Sequence, residues 1–190
     1  KGLFFNSNNV LNELSYVTVS GGGNSSFDGN TTKTANIRVN AGKKLKIHNC
    51  TIDKSASDGL FADGLEFETQ EPITLFRNNT FTDNQGYPLN VISPVVTYLD
   101  STGSTYTGNQ HQYIKIAAGK PLGNHHWHAN SIDYLVTNTV RIGDGNDVEG
   151  SLTVYPGTTI KFSADAGLIN DAFNTGFIKI LGTATNPVTL

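Results

Sequence analysis

Asn49-Cys50-Thr51-Ile52, followed by Ser55, Leu60 and Ala62, is a phrase that this chain repeats. It returns as Asn78-Asn79-Thr80-Phe81 with Asn84, Leu89 and Val91, and again as Thr105-Tyr106 with Asn109, Ile114 and Ile116. In each copy the apolar anchors lie five and seven residues beyond the polar residue, which is Ser55, Asn84 or Asn109. The period is 29 residues from Ile52 to Phe81 and 25 from Phe81 to Tyr106. The four extra residues fall between Ala62 and Pro72, where the offsets stop matching. Self-similarity at this period marks a solenoid, whose repeats bury their apolar faces only by stacking. Leu45-Lys46-Ile47, Leu89-Asn90-Val91 and Ile114-Lys115-Ile116 alternate with the period of a strand and not of a helix. Short strands, turns of Asn, Gly, Ser and Thr, and a coil of about 25 residues predict an all-β parallel β-helix.

Stacking gives equivalent positions a use. Ser55, Asn84 and Asn109 are expected to form a polar ladder at one turn, since Asn tolerates the left-handed conformation and its amide can bond the neighbouring coil. Ile52, Phe81 and Tyr106 should form one interior column, and Leu60, Leu89 and Ile114 another.

The length of 190 residues fits one continuous module. Roughly seven coils would give a solenoid about 35 Å long at the usual strand spacing. With 15% charged residues, a net charge of −3 and three arginines (Arg38, Arg77, Arg141), the chain carries no footprint for nucleic acid. Its longest apolar runs, about five residues, are far short of a membrane span. Cys50 is the only cysteine, so no internal disulfide forms, and it reads as a small buried residue in a strand turn. A chain that opens at Lys1 without Met is expected to be a processed or excised piece.

Along the chain, Gly2 to Phe5 and Leu14 to Val19 read as strands, and Ser20 to Thr34 as a long polar surface loop. Val95-Val96-Thr97-Tyr98-Leu99 reads as a further strand. Gly119 to Asn130 breaks the rhythm, which resumes at Tyr134-Leu135-Val136, Val140-Arg141-Ile142, Leu152-Thr153-Val154, Thr159 to Phe162 and Phe177 to Ile180.

Three stretches carry a family resemblance. They are Gly150-Ser151-Leu152-Thr153-Val154-Tyr155-Pro156-Gly157 running on to Phe162, Gly176 to Leu190, and the opening Lys1-Gly2-Leu3-Phe4-Phe5 with Asn12 to Val19. Together they resemble the right-handed parallel β-helix modules of large secreted bacterial surface proteins. Trp127, followed by Tyr134-Leu135-Val136, matches a core position of that pattern. The resemblance rests on turn and core residues, so it speaks for fold more than for function. It implies a secreted or cell-surface location. It further implies that residues 1–190 are a single module, one unit of a larger tandem array, because the Gly182 to Thr189 phrase that normally precedes the opening phrase here closes the chain.

Many β-helices resemble pectin lyases and polygalacturonases, so catalysis has to be weighed. Glycoside hydrolysis needs two carboxylates flanking one bond, and the paired Asp-Asp, Gly-His-Gly and Arg-x-Lys of such polygalacturonases do not occur. In the aligned coils Asp53 matches Thr82 and Thr107, and Asp83 matches Lys54 and Gly108, so these carboxylates do not cluster. Glu66, Glu68 and Glu71 alternate as on an exposed strand. No enzyme is expected.

The densest chemical cluster is His125-His126-Trp127-His128. Adjacent residues of an extended chain face opposite ways, so only His126 and His128 can share a side as metal ligands. His126, Trp127 and His128 are the candidate ligand-binding set, as an aromatic platform for a sugar, against the plainer reading of a structural crossover. Gly143-Asp144-Gly145-Asn146-Asp147 has the oxygen-rich look of a Ca²⁺ loop, with Asp144, Asn146 and Asp147 as candidate ligands, but it lacks the EF-hand spacing and also suits an ordinary turn. Gly21-Gly22-Gly23 lacks the ending of a phosphate loop. No other cofactor is expected.

These readings converge on a non-catalytic structural or adhesive module of a secreted or cell-surface protein, a rigid stalk or filament whose partners are like modules end to end. Extracellular polysaccharide is a further candidate partner. The alternative is a carbohydrate-binding or polysaccharide-processing β-helix, with its groove beside the Ser20 to Thr34 loop or the His-Trp segment.

Overall fold

Alternation sends every second side chain of a short strand inward, and such strands bury those side chains only if the chain winds back over itself. The computed structural model describes residues 1–62, 72–143, 150–170 and 176–190. It is a parallel β-solenoid of stacked coils. The chain runs through β1 (Leu3–Phe5), β2 (Glu13–Ser15) and β3 (Thr18–Ser20), then β4 (Ala35–Val39), β5 (Leu45–His48) and β6 (Thr51–Asp53). Next come β7 (Asp58–Ala62), β8 (Ile73–Arg77) and β9 (Thr80–Thr82), then β10 (Leu89–Val91), a 3₁₀ helix (Ser93–Tyr98) and β11 (Thr105–Thr107). The remainder is β12 (Tyr113–Ile116), β13 (Gly123–Trp127), β14 (Asp133–Val136), β15 (Thr139–Ile142) and β16 (Gly150–Val154). β17 (Ile160–Phe162), β18 (Gly167–Asn170) and β19 (Phe177–Ile180) close it.

Every strand pairing among the described residues is parallel and joins strands one coil apart. The longest sheet takes one strand per coil, in the order β1-β4-β7-β10-β12-β14-β17. Two further sheets, β2-β5-β8 and β3-β6-β9-β11, complete the early coils, and β13-β16-β19 and β15-β18 complete the late ones. The repeat alignment holds residue for residue: Ile52 pairs with Phe81 and Phe81 with Tyr106, and Leu60 with Leu89 and Leu89 with Ile114. Both columns lie in one apolar core that runs from Ile37 to Ile160. Within it Phe76, Phe81 and Tyr106 stack at 5.8 Å per step.

The corners repeat as well. Tyr16, Asn49 and Asn78 turn the chain with φ of 56°, 55° and 52°, and Gly21, Lys54, Asp83 and Gly108 do so with 72°, 51°, 55° and 67°. The left-handed residue is thus the one before Ser55, Asn84 and Asn109, not those residues themselves. Their task is the ladder. Asn84 Oδ1 accepts from the Ser55 amide at 3.0 Å, and Asn109 Oδ1 accepts from the Asn84 amide at 3.2 Å. Asn84 Nδ2 donates to the Ile52 carbonyl at 3.2 Å, and Asn109 Nδ2 to the Phe81 carbonyl at 3.0 Å. Asn79 forms a second ladder beside it, accepting from the Cys50 amide and donating to the Ile47 carbonyl. Cys50 is buried, as expected of a strand turn.

Three segments differ from the sequence reading. Leu14 to Val19 is not one strand but parts of β2 and β3, because Tyr16 turns a corner between them. Val95 to Leu99 is not a strand. Pro94 sits in the first turn of a 3₁₀ helix, where its missing N–H costs nothing. Burial of Val95 and Val96 then outweighs the β-propensity of the run. Gly119 to Asn130, where the rhythm breaks, still holds a regular strand: β13 opens a new sheet and pairs with β16 in register, and Gly119 bridges Val140.

Phe81→Ala should cost roughly 3–5 kcal/mol in urea unfolding, because a column held at fixed spacing cannot collapse on the void. Asn84→Ala should cost roughly 2–3 kcal/mol, since it strands the buried Ser55 amide and Ile52 carbonyl. Unfolding free energies unchanged by both substitutions would refute the interior placement of these columns.

Candidate functional site

The histidine segment is β13 and the residue after it. Alternation turns His125 and Trp127 inward and His126 and His128 outward. His125 is buried, with Nδ1 3.0 Å from the Thr97 hydroxyl and Nε2 3.0 Å from the Leu122 carbonyl. The carbonyl can only accept, so Nε2 carries the proton and Nδ1 accepts from Thr97. That ring ties β13 to the 3₁₀ helix and is structural. Trp127, expected in a ligand platform, is fully buried, with its indole 5.8 Å from the Tyr134 ring. A ring with no exposed face cannot receive a sugar, so Trp127 belongs to the core.

His126 and His128 do share a side, and Tyr155 joins them. Tyr155 Oη lies 3.2 Å from His126 Nδ1, and the His128 ring stacks on Tyr155 at 4.3 Å with 8° between planes. The register explains the meeting: His126 pairs with Thr153 and Trp127 with Val154, which sets His128 beside Tyr155. Sequence reasoning missed Tyr155 because the contact spans a coil. Partial burial pushes the His128 imidazole down from its usual value, and the neighbouring His126 adds to the shift. Among the described residues no three His, Cys, Asp or Glu side chains come together to hold a metal ion. Asp144, Asn146 and Asp147, the Ca²⁺ candidates, lie outside the described residues, as do Glu66, Glu68 and Glu71.

The Ser20 to Thr34 loop frames an open cleft of about 430 Å³ against the solenoid, lined among others by Lys1, Gly23, Asn24, Ser25, Ala56 and Ser57. The loop is fastened by Arg38, which a strand pattern would have pointed to solvent. Arg38 is 1% exposed, pairs with Asp28 at 2.8 Å and lies 5.0 Å over the Phe4 ring. Phe27 of the loop stacks on Phe4 at 5.0 Å. The Arg38 guanidinium beside Asp28 holds its carboxyl well below the usual carboxylate range.

A third group was not foreseen. Asp58 is buried, accepting from Asn90 Nδ2 and the Tyr87 amide at 2.8 Å each. Burial pushes its carboxyl up, against those two bonds. Tyr87 stacks on His111 at 4.6 Å, with Lys115 Nζ 5.2 Å from the Tyr87 ring centre.

No family model, curated protein or solved structure matches this chain. The architecture itself therefore gives the class: this is a parallel β-solenoid.

His128 should titrate below 6.5 by NMR. A depressed imidazole adds stability that is fully present above the unfolded value of 6.5 and is lost as pH falls from there through the lower folded-state value. His126→Gln should move the His128 midpoint back up, because the neighbouring charge is gone. A midpoint at or above 6.5, or one indifferent to His126, would contradict this reading.

Proposed function

We propose that this chain is a non-catalytic structural module of a secreted or cell-surface protein, and that its coils continue end to end with like modules as a stalk or filament. One observation carries the reading. The large apolar side chains left exposed among the described residues are Leu3, Val10, Leu11 and Tyr16 in the first coil, and Phe162, Ile169, Phe177, Ile180, Leu181 and Leu190 in the last. Leu11 and Tyr16 are 76% and 81% exposed. Among the described residues, the coils between leave no such side chain open. The outer edges of β1, β2 and β3 pair with no strand among the described residues, and neither do those of β18 and β19. Open parallel edges over an apolar cross-section suit a further coil of the same kind.

One carboxylate pair on the longest sheet is spaced too widely for glycoside chemistry. Asp58 and Asp133 stand on β7 and β14, three strand steps apart in the longest sheet, or about 14 Å at the usual strand spacing. Glycosidase pairs stand at roughly 5–9.5 Å. Asp133 is moreover engaged by Lys161 at 3.0 Å.

Sedimentation at rising concentration should show linear association, and Leu11→Asp or Leu181→Asp should abolish it while Thr82→Asp at mid-length does not. A monomer at all concentrations, indifferent to these changes, would overturn association through the end faces. Pectin and alginate incubated with the protein, with or without Ca²⁺, should keep their chain length and gain no ultraviolet absorbance. Cleavage lost on Asp58→Asn would overturn the non-catalytic reading.

A further inference from the structure

The cleft under the Ser20 to Thr34 loop has a built floor and a fastened roof. Thr34 leads directly into β4, and Ala56-Ser57 directly into β7, so one wall is solenoid framework. The loop is tied at its start, where the Gly22 amide donates to Asn36 Oδ1, the Gly23 amide to the Lys1 carbonyl and the Ala56 amide to the Gly22 carbonyl. Gly23 has φ of 77°, and a Cβ there would strike Ser55 Oγ, so the close approach admits glycine alone. At its far side the loop is held by the Asp28–Arg38 pair and the Phe27–Phe4 stack, none of which lines the cleft. A site held open in this way loses little freedom when a ligand enters.

Its lining names a chemistry. Ser25, Ser26, Thr31, Thr34 and Ser57 bring hydroxyl groups, and among the described residues Lys1 is the one charged residue of the lining, with no carboxylate or aromatic ring. A volume of about 430 Å³ lies within the roughly 300–1,000 Å³ typical of small-molecule sites. We propose that the cleft binds a sugar residue bearing a carboxylate, such as a uronic acid unit of an acidic polysaccharide. The hydroxyl lining exchanges hydrogen bonds with ring hydroxyls, each group both donating and accepting. Lys1 answers the carboxylate, and the lack of any acidic group leaves nothing to repel it. This proposal is independent of the structural reading, since a stalk can hold a sugar with or without self-association.

Isothermal titration of the whole chain with galacturonic and glucuronic acids, and with galactose and glucose as neutral counterparts, tests it. The acids should bind, and the neutral sugars about ten-fold or more weaker, as the loss of one charge-assisted bond predicts. Lys1→Gln should bring the acids down to the neutral level. Ser57→Phe, filling the cleft from the solenoid, and Ser25→Phe, filling it from the exposed loop, should each abolish binding. Both should leave sedimentation unchanged, whereas Leu181→Asp should spare sugar binding. Absence of binding, equal binding of acidic and neutral sugars, or binding that survives either filled variant with its fold intact would overturn the proposal. The loop substitution stands alone if Ser57→Phe fails to fold.

Discussion

The structure depends on what happens to backbone carbonyls at its corners. A chain that turns sharply in the left-handed conformation aims peptide groups into the interior, where no strand partner waits. Each such group left bare costs about 1–3 kcal/mol, more than a made bond contributes. The chain answers with buried asparagine side chains. Asn84, Asn109, Asn79 and Asn36 each reach a carbonyl of the coil before them, namely Ile52, Phe81, Ile47 and Val19. All four amides are buried, and each of these bonds connects one coil to another. The same bonds that satisfy the corners therefore hold the register, and the register sets which apolar residues meet.

That constraint explains what could be read in advance. A ladder forces equivalent residues to recur at constant offsets, so Ser55, Asn84 and Asn109 and their apolar followers aligned without any coordinates. It also explains what could not. Tyr16 and Lys54 occupy left-handed corners that Asn or Gly would advertise, and only their place in the stack keeps them there. Arg38 sits between Ile37 and Val39 like any outward residue, and its burial follows from a loop that returns over it. The 3₁₀ helix is written in strand-forming residues. His125 hid the alternation of β13, since a buried imidazole with two partners reads as polar. Of the candidate site, the pairing of His126 with His128 followed from strand geometry, whereas Tyr155 arrives by register alone.

Where the ladder stops, the cross-section changes. Among the described residues the sheet β3-β6-β9-β11 has no strand beyond β11, and β15 and β18 pair only after it ends. The 3₁₀ helix stands at this junction, packed against both β8 and β13. Asn109 is the last rung, and from Trp127 the chain reaches Asp133 across five residues, too few for another corner, strand and corner. The only Trp and Tyr134 bring bulk to that interior, their rings 5.8 Å apart. A change of profile inside one continuous core thus asks for the largest side chains where two packing patterns meet.

This change bears on how such a solenoid extends. The first coil presents β1, β2 and β3, and the last presents β17, β18 and β19, which belong to a differently divided cross-section. Only the longest sheet runs through both, and on it the chain has already begun another layer, since Thr189 pairs with Thr159 and accepts from the Ile160 amide. A like module joining the last coil finds its longest sheet in line and its corners out of step. In the proposed stack, a link between modules would have to bring the corners back into step. Under the end-to-end stacking proposed above, the longest sheet would be the spine that runs from one module into the next, and the other faces would be divided afresh in each.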